Sequence, residues 1–227
     1  MKSIFYIFIL VISIHFLFCE DDSEITMIIN GTGLQQIICN TYVGLPQKVF
    51  INSFEQNETK IFYEFNESIN TVIMIFDKNL NTARRMFYNL SNIIEIDLSK
   101  FISSEVTNME GMFYMCQDLK SINFGNFDIS NVRYMNNLFY NCFNLSTLNL
   151  SQFNTAKVSL MSNMFRNCTS LTTLDLSNFN TSLVKTIKSM FYSCSKLKDL
   201  KISSFDTSKV TDMSYSFRSC GQVVSLN

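Results

Sequence analysis

Residue types that commonly carry out catalysis are scarce in this chain of 227 residues. Histidine occurs once, as His15, inside an N-terminal segment that we expect to be removed. Without histidine, Ser-His-Asp triads, Cys-His pairs and histidine metal sites are excluded. The carboxylates fall in different sequence repeats, and none has a visible partner that would shift its pKa. We therefore expect no enzyme and no cofactor; a glycosidase using two carboxylates is a minor alternative.

The amino-acid composition also limits which classes of binding partner are expected. Apolar residues make up 47% of the chain, enough for a sizeable core, and the formal net charge is −1. A nucleic-acid partner is not expected, because there is no basic excess to neutralise phosphates.

The N-terminus has the pattern of a targeting segment. Lys2 precedes an apolar run over Ile4–Phe18, and Glu20 ends it. The run has the length of a signal-peptide core and is short for a membrane span. We predict a signal peptide over residues 1–19, cleaved near Cys19, and a secreted or cell-surface protein. An uncleaved signal anchor and a lipid-modified Cys19 remain alternatives.

A 26-residue repeat without insertions occupies the rest of the chain, with five full copies and a partial sixth. The copies begin at Met86, Met112, Leu138, Met164, Met190 and Ser216. The aligned positions are nearly uniform, for example Phe87, Phe113, Phe139, Phe165, Phe191 and Phe217. Such periodicity predicts a stack in which neighbouring copies bury a shared core.

Each copy divides into two halves. Leu171, Leu174 and Leu176 suggest a short strand, because the last two alternate with a polar residue. The second half places its apolar side chains at offsets 0, 3, 6, 7 and 10, which predicts a helix of about three turns. These side chains are Val184, Ile187, Met190, Phe191 and Cys194. We therefore predict an α/β solenoid of strand-turn-helix coils over residues 86–227, with a parallel sheet on one face.

Residues 20–85 contain no copy of the repeat. Apolar stretches there are separated by polar turn signals such as Asn30-Gly31. We predict a small β-rich N-terminal cap domain whose last strand, near residues 71–76, abuts the first coil.

The repeat has a family resemblance. The string M-F-x-x-C-x-x-L-x-x-L-x-L-S-x-F, followed by a T-S-x-V-like stretch, resembles the BspA-like leucine-rich-repeat surface proteins over residues 86–227. The first copy departs from it, with Leu90 in place of Cys and Ile102 in place of Asp or Asn. The resemblance implies adhesion or host-matrix interaction rather than catalysis.

Six cysteines lie outside the signal segment: Cys39 and five at one repeat position. An even number in a secreted protein permits disulfides. We favour a row of buried free thiols, because parallel side chains fit disulfide geometry badly. A metal site is not expected, since ligands in a straight row cannot surround an ion.

The polar strand positions form the candidate interaction face, which suits a protein or glycan ligand; simple solvation of these strands is the alternative. The face comprises Glu95, Asp97, Ser121, Asn123, Thr147, Asn149, Thr173, Asp175, Asp199 and Lys201. Candidate glycosylation sites are Asn30, Asn57, Asn66, Asn144 and Asn180. Sequons at Asn89, Asn149 and Asn167 are expected to be unmodified.

These observations predict a secreted or surface-displayed leucine-rich-repeat protein that mediates protein or matrix adhesion. The alternative is a structural protein that associates end to end. The sixth copy carries Phe217, Cys220, Val223 and Leu226 and stops without a polar cap, so self-association through this coil is expected.

Overall fold

A computed structural model of the chain describes residues 23–76, 80–223 and 225–226. The predicted signal peptide, its cleavage site and His15 lie outside these residues. The described part contains eleven β-strands: β1 (Ser23–Asn30), β2 (Gly33–Gln36), β3 (Lys48–Ile51), β4 (Phe54–Glu55), β5 (Phe62–Phe65), β6 (Ile69–Phe76), β7 (Ile93–Asp97), β8 (Ser121–Asn123), β9 (Thr173–Asp175), β10 (Asp199–Lys201) and β11 (Ser225–Leu226).

A six-stranded sheet joins the N-terminal region to the repeats, in the order β4-β3-β6-β1-β7-β8. Strand β1 pairs antiparallel with β6 on one side and with β7, which belongs to the first repeat, on the other. The N-terminal strand that pairs with the first repeat is therefore β1. The prediction that the last strand of the N-terminal region, β6, would abut the first repeat is wrong. Apolar side chains of β1, such as Met27 and Ile29, continue directly into the core of the repeats.

The strand halves of five of the six repeats form parallel pairs, and the sheet is not continuous. Strand β7 pairs with β8, and β9, β10 and β11 form a separate three-stranded sheet. The intervening repeat has no strand at residues 147–149. The gap lies beside Phe124, whose ring packs 4.8 Å from that of Phe153 at a position where the other repeats carry Leu or Ile. The interruption of the sheet thus coincides with the larger side chain at this position.

No helix occurs in the described residues, so the predicted α/β solenoid of strand-turn-helix coils is wrong. The segment expected to be helical is a series of tight turns. In the first repeat, the amides of Met86, Tyr88 and Leu90 donate to carbonyls three residues earlier. The intervening amides instead donate to the next repeat, as in Phe87 N–H to Met112 O at 2.9 Å. A helix cannot form, because every second amide is committed to the neighbouring repeat.

Left-handed residues produce this alternation. Each repeat has two positions with positive φ, four residues apart, such as Asn163 (56°) and Asn167 (60°). Each is the third residue of a turn, where type II geometry requires positive φ. Asn, Ser or Gly occupies most of these positions, and Asn and Gly tolerate the conformation best.

One large apolar cluster runs through the described chain, and a small second cluster consists of Phe50, Ile73 and Ile75. Phe87, Phe113, Phe139, Phe165, Phe191 and Phe217 stack in a row with ring centroids 5.4 to 5.7 Å apart. The fold is thus β-rich, made of small sheets and stacked turns, and a leucine-rich-repeat solenoid is not supported. The periodic apolar positions nevertheless point inward, because the turn series places them on one side much as a helix would.

Candidate functional site

The ten predicted interface residues lie along the strand half of the repeats; we call this set the strand row. Seven of them are exposed, whereas Asp97, Ser121 and Asp199 are half-buried. Pairing of β7 with β8 sets Glu95 opposite Ser121, and pairing of β9 with β10 sets Asp175 opposite Lys201. The structure therefore brings these side chains together in two groups, one on each sheet.

Hydrogen bonds and an ion pair connect polar side chains within the strand row. The Asn123 amide Nδ2 donates to Asp97 Oδ2 at 3.2 Å. The Lys201 ammonium lies 2.9 Å from Asp175 Oδ2. Hydrogen bonds from Ser177, reinforced by Lys201, hold the pKa of the Asp175 carboxyl well below its usual range. Asp175 therefore stays ionised throughout the neutral and mildly acidic range.

Thr147 and Asn149 occupy the repeat without a strand. Both are exposed, and Asn149 uses its Oδ1 to accept from Ser151 N–H at 3.1 Å. The strand row is consequently two short groups with an irregular step between them, rather than five equal rungs.

The six described cysteines are free, and those of the repeat form a row of hydrogen-bond donors. Each thiol donates to the carbonyl of the inward Phe in the preceding repeat, for example Cys168 to Phe139 O at 3.2 Å and Cys194 to Phe165 O at 3.0 Å. Burial raises the pKa of these thiols, as at Cys142 and Cys168, where it lies well above the usual value. Sequence inspection identified their apolar environment but not this bonding role. The described residues contain no cluster of three or more His, Cys, Asp or Glu able to hold a metal ion.

The sequon asparagines are spread over several surfaces. The candidates Asn30, Asn57, Asn66, Asn144 and Asn180 are all exposed. Asn89 is exposed as well, since no helix surrounds it, whereas Asn167 is half-buried and donates to Asn141 Oδ1 at 2.6 Å.

A second ordered surface, absent from the sequence-based predictions, follows the turn half of the repeats. We call it the tyrosine–arginine ladder, and its rungs are Tyr88, Tyr114, Tyr140, Arg166, Tyr192 and Arg218. The first three rings stack nearly parallel, with centroids 4.5 and 4.6 Å apart. Each rung directly follows an inward Phe in sequence, so it faces outward. The sequence analysis did not recognise this repeat position as a surface feature, because some repeats have Tyr there and others Arg. Both residue types nevertheless have a flat group that can stack.

Cation–π contacts continue the ladder where arginine replaces tyrosine. The Arg166 guanidinium lies between two rungs, 5.6 Å from the Tyr140 ring centroid and 4.3 Å from that of Tyr192. Arg218 lies 6.0 Å from the Tyr192 ring centroid and closer, at 5.4 Å, to that of Tyr215, which is not a rung. Among the described residues, neither arginine has a salt bridge, and the buried Nε of Arg166 has no hydrogen-bond partner.

Within the part of the chain that the structure covers, there is no helix that could cross a bilayer. No curated protein and no solved structure matches the chain.

One protein family does match. It is described as "Mycoplasma protein of unknown function, DUF285", and it matches residues 52–174 and, in an overlapping second match, residues 115–225. The description does not mention leucine-rich repeats, so the BspA-like resemblance stays a prediction. The two matches together take in nearly all of the stacked repeats and the strands β4 to β6 before them, but not β1 or β3. The chain therefore belongs to the DUF285 family.

Proposed function

We propose that this protein is a non-catalytic, extracellular interaction protein that binds a protein or glycan partner along the strand row. The observation that carries the proposal is the register of this row. Hydrogen-bonding side chains stand opposite one another on paired strands, as Glu95 does with Ser121 and Thr173 with Asp199. Neighbouring strands lie about 4.8 Å apart, so each of the two groups of the row offers polar groups at a regular spacing.

Rigidity supports this role. The backbone beneath the row is bonded between repeats, for example from Leu176 N–H to Lys201 O at 2.9 Å, and its inward Leu174 and Leu200 are buried. A polar surface held in this way loses little conformational entropy on binding, which favours affinity.

The strand row is mainly acidic, which indicates the kind of partner surface that would complement it. Four carboxylates, those of Glu95, Asp97, Asp175 and Asp199, are accompanied by one ammonium group, that of Lys201. A partner surface with exposed hydrogen-bond donors or cationic groups complements this distribution.

The test is binding of the purified chain to a panel of extracellular-matrix proteins, compared with a variant that carries Thr147→Lys and Thr173→Lys. Both threonines are exposed on the strand row, so the added side chains obstruct the row without disturbing the core. The matched control carries Ser104→Lys and Thr207→Lys, which add the same bulk and charge at exposed positions outside the row.

We expect the row variant to lose binding and the control to keep it. Equal binding by the two variants would move the interface away from the row, and no binding by the unmodified chain to any panel member would refute the proposal for matrix ligands. Light scattering over about 1–100 μM distinguishes the alternative of end-to-end assembly, in which mass rises with concentration.

A further inference from the structure

We propose that the tyrosine–arginine ladder is a second binding surface, distinct from the strand row, and that it binds an extended sulfated polysaccharide.

The stacking of the rungs determines which atoms meet the solvent. Both faces of the Tyr114 ring are covered, by Tyr88 at 4.5 Å and by Tyr140 at 4.6 Å. A ligand therefore encounters ring edges and phenolic hydroxyls. Aromatic edges carry partial positive charge, and the hydroxyl donates hydrogen bonds, so this surface favours anionic and hydroxyl-bearing groups over apolar ones.

Ring contacts on both sides also orient Arg166, whereas Arg218 is exposed at the end of the ladder. Tyr140 and Tyr192 hold the guanidinium of Arg166 between them, and its Nε is buried, so this half-buried side chain can reach a ligand only through its terminal N–H groups. Guanidinium groups recognise sulfate, phosphate and carboxylate oxygens through such paired N–H donors. Because the stacking already restricts the side chain, little further entropy is lost when an anion binds.

The surroundings of the ladder are cationic, although the chain as a whole has a net charge of −1. Within four residues of the rungs, six side chains are cationic and two are carboxylates. The cationic ones are Arg84, Arg85, Arg166, Lys188, Lys196 and Arg218, and the carboxylates are Glu110 and Asp118. Two of these cations are already paired, Arg84 with Glu110 at 3.4 Å and Lys188 with Asp212 at 3.6 Å, which leaves Arg85, Arg166, Lys196 and Arg218 to provide the excess positive charge. The ladder therefore presents a positive strip to an anionic ligand.

The geometry of the strip suits a polymer rather than a single ion. Arg166 and Arg218 are two repeats apart, or about 10 Å along the stack, with the Tyr192 hydroxyl between them. A ligand that uses both guanidiniums must carry anionic groups at intervals along an extended chain.

The backbone of the ladder argues for a polysaccharide over an acidic peptide. Tyr114 N–H donates to Gly111 O at 3.1 Å, and its carbonyl accepts from Asn89 N–H at 2.7 Å. The Tyr140 carbonyl likewise accepts from Met115 N–H at 2.8 Å. With these groups occupied, a peptide strand cannot add to the surface through main-chain hydrogen bonds. Sulfates and hydroxyls of a sugar polymer need only the side chains.

The experiment is calorimetric titration of the purified chain with size-defined heparin at about 50 mM and about 500 mM salt. We expect binding that weakens with salt, and a loss of about tenfold or more in affinity for the Arg166→Gln, Arg218→Gln double variant, since two charge contacts are removed. A matched control, Lys157→Gln with Lys209→Gln, removes two exposed charges elsewhere and should bind as the unmodified chain does.

An Arg166→Lys, Arg218→Lys variant keeps the charge but not the planar group, and we expect intermediate affinity. Urea unfolding of each variant verifies that the fold is retained. No heparin binding at low salt, or equal losses in the double variant and its control, would overturn the proposal. Equal affinity for poly-L-glutamate would overturn the choice of a polysaccharide. Heparin binding that survives the strand-row variant shows that this surface is independent of the function proposed above.

Discussion

Cysteine in the repeats acts as a small apolar side chain that also donates a hydrogen bond. Each inward Phe carbonyl, such as that of Phe139, accepts from the turn amide of Cys142 and from the thiol of Cys168. Serine could donate the same bond but is less apolar, and alanine could not donate at all. This double requirement gives a physical reason for Cys at this position.

Thiol reactivity tests this arrangement. In the native protein near pH 8, we expect iodoacetamide to modify Cys220, which is half-buried, before Cys168, which is fully buried. Burial raises the pKa of both thiols, further at Cys168, so its reactive thiolate is the scarcer one. The measurement is peptide mass spectrometry after timed alkylation.

The same reagent applied in denaturant without reductant should label all six described cysteines. Labelling of two or fewer would demonstrate disulfides and would contradict the free-thiol row.

The second half of each repeat is built from consecutive tight turns and not from a helix. The apolar offsets 0, 3, 6, 7 and 10 fit a helix and the observed turn series equally well, so periodicity alone could not distinguish them. A distinguishing signal was present in the sequence. Asn163 and Asn167, and their equivalents in other repeats, stand in the middle of the expected helix, where Asn and Gly are unfavourable but left-handed turns accept them.

A different turn, after β8, depends on one glycine. Gly125 has φ of +48°, and a Cβ added there would lie within 2.5 Å of Ser99 Cα in the preceding repeat. We expect Gly125→Ala to reduce the free energy of unfolding by about 1–3 kcal/mol, because both the backbone conformation and the close approach exclude a side chain. Urea unfolding measures this change.

Gly221→Ala is the matched control, since an added Cβ there meets nothing within 4 Å. Its expected effect is within about 0.5 kcal/mol. A Gly125→Ala variant as stable as this control would show that the two turns separate at little cost.

At the scale of the molecule, the sequence predicted the stack and its inward residues but not its interruption. The 26-residue spacing predicted which side chains share a row, and Phe165 and Leu174 are buried as expected. The gap at residues 147–149 was not predicted, because Leu148 and Leu150 keep the same apolar alternation as the repeats that do form strands. The strand row was predicted by alternation, whereas the ladder was missed because its rungs differ in residue type.

Amide hydrogen exchange should detect the interruption of the sheet at residues 147–149. We expect the amides of residues 147–149 to exchange faster than those of β10, which pairs with strands on both sides. Unpaired amides exchange through smaller local openings than those in a sheet. Mass spectrometry of overlapping peptides measures the two rates, and equal protection of both segments would indicate that the sheet is continuous in solution.

The backbone hydrogen bonds between the turns of successive repeats also point mainly in one direction along the stack. Along this side, sets of four amides donate to carbonyls 25 residues later, as Ala83, Arg85, Phe87 and Asn89 do to Asn108, Glu110, Met112 and Tyr114. The peptide dipoles of these amides therefore share one sense and add up, as they do in an α-helix, with their positive ends toward the later repeats. One amide per repeat on this side, such as that of Thr107 to Asn81 O, donates the opposite way, so the excess of forward bonds leaves this side of the stack with a dipole along its length, which adds to the field of the charged side chains.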